Sequence, residues 1–304
     1  MQCGDLRGDG IEQFRRRVSR QVVERGGDRR PHEPRWRTPD VDGEIEHSRR
    51  PVPVAVPVEC EQPRCHGHRA YVHDGEVMSR PDPADPTTVL LVDLDGTITD
   101  SFAGIANSFR HALVEVGAPP APESVVAGIA GPPMIDTLLG LGLEQATADA
   151  AMTAYRARYT DVGWLENSVF DGMGQLLADL DASGRTLAIA TSKNQTTAHR
   201  ILEHFGLVDH FRVVAGAGDD GVRRHKPDVI AHALAQLDIS LDPETRRPAR
   251  PVVMIGDRSH DIEGAGQFGI PTIHVQWGYA LPGERDAAAW SVESTAHLRE
   301  VLGV

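Results

Sequence analysis

The chain has 304 residues, of which 25% are charged and 40% hydrophobic, and it carries a formal net charge of −13. An acidic balance of this size argues against DNA or RNA as an electrostatic partner, since phosphate backbones are gripped by clustered cations. The length allows two domains, or one domain with an insertion.

Charge and composition change near residue 77. Residues 1–77 hold 14 Arg against 14 Asp plus Glu, so residues 78–304 carry the whole net charge, 17 basic against 30 acidic. The first part is rich in Arg and Pro, with Arg15-Arg16-Arg17 and a proline-broken run at 51–58. Little aliphatic periodicity runs through it, and residues 1–85 read as a disordered extension. Met78 precedes a plausible short leader, which makes an upstream start within the extension doubtful as natural protein. The 51–58 run is too short to span a bilayer, and nothing resembles a cleavable signal peptide, so no membrane partner is expected. All three cysteines (Cys3, Cys60 and Cys65) fall in this part, and with His66 and His68 they match no standard zinc-finger spacing. The remaining chain needs no disulfides, and a cytoplasmic location suits it.

Five strand-like runs follow, at 88–93, 186–191, 211–215, 251–256 and 271–276. Helical patterns separate them, as a doubly wound parallel sheet requires. The first run, Val89-Leu90-Leu91-Val92, reads as a buried parallel strand that delivers Asp93-Leu94-Asp95-Gly96-Thr97 at its carboxyl end. Open α/β sheets bind ligands at that edge. Two acids one residue apart suit a divalent metal, or a nucleophile beside a proton donor. Gly96 permits a sharp turn and Thr97 can tie it down.

The gap before the second strand is too long for a single crossover. Phe102, Ile105, Ala106, Phe109, Leu113 and Val116 keep helical spacing, with Asp100 and Ser101 placed to cap the helix. A Gly131-Pro132-Pro133 break opens a second helix at 134–141, and 146–159 gives a third. The predicted architecture is α/β: a Rossmann-like parallel sheet core (86–102 and 168–304) with an inserted helical cap (103–167).

The second strand brings Thr191, Ser192 and Lys193, and the third leads through a glycine-rich loop to Lys226. Lys193 and Lys226 are the chain's two lysines, against 29 arginines. An ammonium is a compact, mobile point charge that a planar guanidinium cannot copy, so two lysines just past two strands point to function. Gly216 to Gly221 matches a dinucleotide-binding spacing, but no helix opens directly after it. The fourth strand delivers Asp257, with Asp261 four residues on. Asp93 and Asp257, on neighbouring strand ends, can ligate Mg²⁺, while Asp261 supports the metal's waters or holds Lys226. A carboxylate nucleophile, a second acid, a hydroxyl, a lysine and a metal make the parts of phosphoryl transfer through an aspartyl-phosphate.

Asp93-x-Asp95-Gly96-Thr97, Thr191, Lys226 and Gly256-Asp257-x-x-x-Asp261 resemble, in order, the four signature motifs of the haloacid dehalogenase superfamily, across about residues 88–280. The resemblance implies that Asp93 is the nucleophile and Asp95 the general acid/base, with Thr191 and Lys226 holding the phosphoryl group. It further implies Mg²⁺ at Asp93, Asp95 and Asp257, supported by Asp261. Substrate contacts are expected from Gly96, Thr97, Ser192 and Lys193, and from Gly131 and Pro132 of the cap. Aspartate at 95 favours phosphatase over dehalogenase chemistry. The insertion is similar to the cap of the phosphoglycolate phosphatase-like branch, as are Ile129 to Pro133 and Trp277-Gly278-Tyr279. The chain departs from many relatives at His225-Lys226-Pro227-Asp228, which lacks a second proline, and at Ser192, where Asn is frequent. The implied activity is Mg²⁺-dependent hydrolysis of a small phosphorylated metabolite, phosphoglycolate or a nucleoside monophosphate. Two rivals stay open: a phosphotransferase acting on a tyrosine of a partner protein, and a non-catalytic binding protein. No nucleotide-binding Gly-x-x-x-x-Gly-Lys-Ser/Thr loop or protein-kinase catalytic loop occurs.

Overall fold

The structure, a computed structural model, describes residues 71–73, 76–78, 80–218 and 223–304. Most of the extension expected over residues 1–85, its cysteines included, lies outside the described residues. Strands β1 (Tyr71–His73) and β2 (Glu76–Met78) pair antiparallel. Residues 80–85 are fastened to the core. The Arg185 guanidinium donates to Pro83 O, Asp85 O and Leu302 O, and Arg80 donates to Ala289 O at 3.0 Å.

Strand β3 (Val89–Val92) is buried along its whole length, which is why its sequence is unbroken apolar. After it come the short β4 (Thr99–Asp100), then α1 (Phe102–Glu115), α2 (Glu123–Ala127), α3 (Met134–Gly140) and α4 (Gln145–Asp161). The short β5 (Ser168–Val169) returns to pair antiparallel with β4, so the helical insertion leaves and re-enters through one two-strand neck. The rest is α5 (Met173–Ala182), β6 (Leu187–Asn194), α6 (Gln195–His204), β7 (Val213–Ala217), α7 (Lys226–Gln236), β8 (Val252–Gly256), α8 (Ser259–Gly266), β9 (Thr272–Val275), β10 (Trp290–Val292) and α9 (Thr295–Leu302).

Six strands form one parallel sheet in the order β10-β9-β8-β3-β6-β7. Five were expected. The sixth, β10, is three residues long, too short to show a period. Strand alternation sends Leu90 and Val92 into one apolar cluster and Val89 and Leu91 into the other, on opposite faces. Because β3 lies between β6 and β8, its carboxyl end brings Asp93 between Thr191 and Asp257. The Asp93 N–H is fixed by Ile255 O at 2.9 Å. Among the described residues no helix is long and apolar enough to cross a membrane.

Candidate active site

Asp93 is buried where β3 ends, facing the Lys226 ammonium at 2.9 Å. Lys226 opens α7, with Pro227 in the first turn where a missing N–H costs nothing. Its ammonium also lies 2.7 Å from Asp261 and donates to Ala190 O at 3.0 Å. A Cβ on Gly264 would come within 2.8 Å of the Lys226 stem, so the lysine runs through a close-fitting channel. Asp257, fully buried, accepts the Tyr279 N–H at 2.7 Å and the Thr97 hydroxyl at 3.4 Å. Two glycines let loops close on it. Gly96 has φ +83°, and a Cβ there would fall 2.2 Å from an Asp257 oxygen; at Gly278 the same distance is 2.3 Å.

Burial pushes Asp93 up to about 6, helped by the negative charges of Asp261 and Asp95 and opposed by Lys226. Burial also raises Asp257 well above the usual carboxylate range, with Asp261 and Asp93 adding to the effect. Burial works to discharge Lys226, but the Asp261 and Asp93 charges outweigh it and raise its pKa. Asp93, Asp257 and Asp261 bring ligand oxygens within 4.8 Å of one another. Three buried carboxylates thus cluster where one ammonium pairs with two of them, a set of hard oxygen donors that fits a divalent cation.

The Asp95 side chain turns elsewhere. Its carboxylate holds Lys193 Nζ at 2.7 and 2.9 Å and accepts the Ser101 hydroxyl at 2.5 Å. The third acid of the cluster is therefore Asp261, in the place expected for Asp95. Lys193 lies inside β6, beyond a register shift between Ala190 and Asn194, and not past the strand end. Its ammonium sits 4.7 Å from the Tyr159 ring centre, and Tyr159 stacks on Tyr155 at 5.7 Å. Burial disfavours the charged Lys193, yet Asp95, then Tyr159 and Tyr155, raise its pKa overall. Ser101, expected to cap α1, makes no capping bond with its side chain. Asp100, the other expected cap, accepts the Phe102 N–H at 3.4 Å, and the Tyr279 hydroxyl joins it, accepting the Ser101 and Phe102 N–H groups at 2.8 and 3.1 Å and donating to Asp100 at 2.8 Å.

A cavity of about 650 Å³ opens above Asp93 and Asp95. Thr191, Ser192 and Lys193 line its core side, and Gly131 and Pro132 line its cap side with Tyr155 and Tyr159. Gly96 and Thr97, expected to contact substrate, back Asp257 instead and do not reach the cavity wall.

The model of the haloacid dehalogenase-like hydrolase family matches residues 90–275. The chain belongs to the haloacid dehalogenase-like hydrolases. It is an enzyme of that family, and its relatives include phosphatases. It is 49% identical over 226 residues to the tyrosine-protein kinase PtkA of Mycobacterium tuberculosis, covering 73% of this chain and 75% of that one. A 5'-nucleotidase of Pseudomonas aeruginosa is 36% identical over 216 residues, 70% of this chain and 94% of the other. The crystal structure of a predicted phosphatase from Clostridium acetobutylicum superposes with a TM-score of 0.65 and 33% identity, over 72% of this chain and 99% of that one.

Within this haloacid dehalogenase-like site, sequence reasoning passed over Ser101 as a partner of Asp95 and Tyr279 as a cap of α1. Trp277 was also missed as a brace; its indole N–H donates to Thr97 O at 3.1 Å. Arg258 drew no reading at all. The one available signal was Gly278 between two aromatics just after a strand, which marks a close backbone approach.

Proposed function

We propose that the chain is a Mg²⁺-dependent phosphatase of a small phosphomonoester, acting through a phospho-aspartate on Asp93. The observation that carries the reading is the place of Asp93, at once on the cavity wall and in the buried cluster with Lys226, Asp257 and Asp261. The Lys226 ammonium at 2.9 Å favours the ionised carboxylate of Asp93, the form that acts as a nucleophile. The Asp93 carboxylate bonds to phosphorus as the ester P–O bond breaks, and Asp95, which enters this step protonated, gives its proton to the leaving oxygen. Asp95 then takes a proton from water, whose oxygen displaces Asp93 and releases inorganic phosphate. Thr191 and Lys226 hold the phosphoryl oxygens, and Ser192, Lys193, Gly131 and Pro132 meet the remainder of the substrate. Asp93 and Asp257, supported by Asp261, would hold Mg²⁺, which when bound would supply positive charge to the phosphoryl group.

A cavity of about 650 Å³ exceeds what a two-carbon leaving group fills, which favours a nucleotide-like ester over phosphoglycolate. The 5'-nucleotidase relative supports the same choice. A second reading, transfer to a tyrosine of a partner protein, draws on the 49% identity to a tyrosine-protein kinase. The acceptor separates the two. The test is phosphate release from a phosphometabolite panel with Mg²⁺, beside labelled ATP with a tyrosine-bearing protein. We expect rapid release from one ester, abolished by EDTA and reduced more than about a thousandfold in Asp93→Asn. Activity retained in Asp93→Asn overturns the mechanism. Feeble release with label on tyrosine moves the assignment to the kinase reading.

A further inference from the structure

Arg258 follows Asp257 directly and is 3% exposed. Its backbone N–H is held by Asp261 at 3.1 Å, which seats the residue on the carboxylate cluster. The side chain leaves the cluster and does not line the cavity. Nε and Nη2 form a two-pronged pair with the Glu284 carboxylate at 2.8 and 3.1 Å. Nη1 reaches the cap, donating to Ala130 O and, at 3.5 Å, to Gly128 O. Ile129, Ala130 and Gly131 of that cap loop do line the cavity. Gly131 has φ +117°, and a Cβ there would lie 3.2 Å from both Arg258 Cγ and Nη1, so only glycine leaves the guanidinium its path.

A buried guanidinium is costly unless its donors are satisfied. Here the planar fork is divided between two parts of the molecule, a carboxylate of the core and carbonyls of the cap. The Glu284 pair does not depend on the cap loop, so a movement of the loop would not by itself leave the charge unpaired. That makes the contact to the loop releasable. A lysine ammonium carries its three N–H groups on one nitrogen and cannot reproduce the planar fork's two-pronged pair with Glu284 while also reaching Ala130 O.

We propose that Arg258 is a positioning residue. It latches cap loop 128–131 against the core beside the carboxylate cluster and so sets the affinity for substrates large enough to touch that loop. The inference deepens the phosphatase reading of this site and rests on it for its kinetic consequence.

Two measurements on the full chain test it, with Arg258→Lys and Glu284→Gln, the second of which is remote from the cluster. Hydrogen–deuterium exchange reads the loop without any turnover. Both variants should speed exchange at 128–131 about fivefold or more, while the β3 and β8 amides stay protected. Kinetics then compare p-nitrophenyl phosphate with the smaller ester phosphoglycolate, whose two-carbon leaving group leaves most of the cavity of about 650 Å³ empty. KM for the larger ester should rise about tenfold more than KM for the smaller in both variants. Unchanged exchange in the loop overturns the latch. Faster exchange with equal KM increases for the two esters overturns its role in affinity and leaves a structural effect through Asp257. If wild type hydrolyses neither ester, the phosphatase reading fails, and the exchange result still decides the latch.

Discussion

Two buried lysines pair with carboxylates in this molecule, and they are built differently. Lys226 meets Asp93, Asp261 and Ala190 O, all on strands and helices of the core. Lys193 meets Asp95 on one side and the Tyr159 ring of the cap helix α4 on the other. The first centre is fixed by parallel strand ends and is independent of where the cap stands. The second joins the acid/base candidate to the cap. Asp93, the proposed nucleophile, is thus held by the core alone, and Asp95, the proposed acid/base, by the seam between core and cap.

Exchanging each lysine for arginine separates the two centres. In Lys226→Arg a planar group must enter a channel shaped for a point charge, between three acceptors and under Gly264. We expect kcat to fall roughly 10²–10³-fold, the usual cost of losing a preorganised donor. Stability should fall too, by about 3–5 kcal/mol if the buried pair breaks. In Lys193→Arg the guanidinium can still take the carboxylate two-pronged and lie on the tyrosine ring, so the loss should stay at tenfold or less, roughly. Steady-state kinetics and thermal melts on both variants check this, and equal losses would erase the distinction between the centres.

A smaller effect comes from the loop behind the Lys226 centre. Gly96→Ala forces a side chain into left-handed backbone, about 1–2 kcal/mol, and sets its Cβ against Asp257. Calorimetric Mg²⁺ titration should show affinity about 10- to 100-fold weaker, as when a metal ligand's support is removed. Undiminished Mg²⁺ affinity would mean that Asp257 is not a ligand.

The candidate site was legible in the sequence because most of its pieces are residue types at the ends of apolar runs. Asp93, Thr191 and Asp257 are named by the runs that precede them, and Lys226, which opens α7, by the scarcity of lysine. What the sequence hid are contacts made by distant segments. Ser101 sits at a helix start, where serine ordinarily caps, and only the fold shows Tyr279 taking that task across 178 positions. That the Asp95 side chain turns to Lys193, away from the cluster of Asp93, Asp257 and Asp261, was hidden because local spacing says which acids are near a strand end but not which way a side chain turns. Arg258 went unread since the chain has 29 arginines, and nothing local marks one that is buried. β10 stayed hidden because three residues carry no periodicity.

The mildest change bears on what the cap contributes to the Lys193 centre. The Tyr159 hydroxyl is buried and makes no well-angled hydrogen bond, with Lys193 its polar neighbour. Leaving a buried donor unpaired costs about 1–3 kcal/mol, so deleting it should cost nothing and can gain. Tyr159→Phe keeps the ring under the ammonium and should melt at or above the wild-type temperature in the absence of substrate. Tyr159→Leu keeps bulk but loses the ring's negative face, worth about 0.5–2 kcal/mol to a desolvated cation. It should melt lower than Tyr159→Phe, and Lys193→Met should abolish that difference, since without the ammonium the face has nothing to hold. If Phe and Leu variants melt alike with Lys193 present, the cap adds only bulk to this centre, and the contrast between the two lysines reduces to their carboxylates.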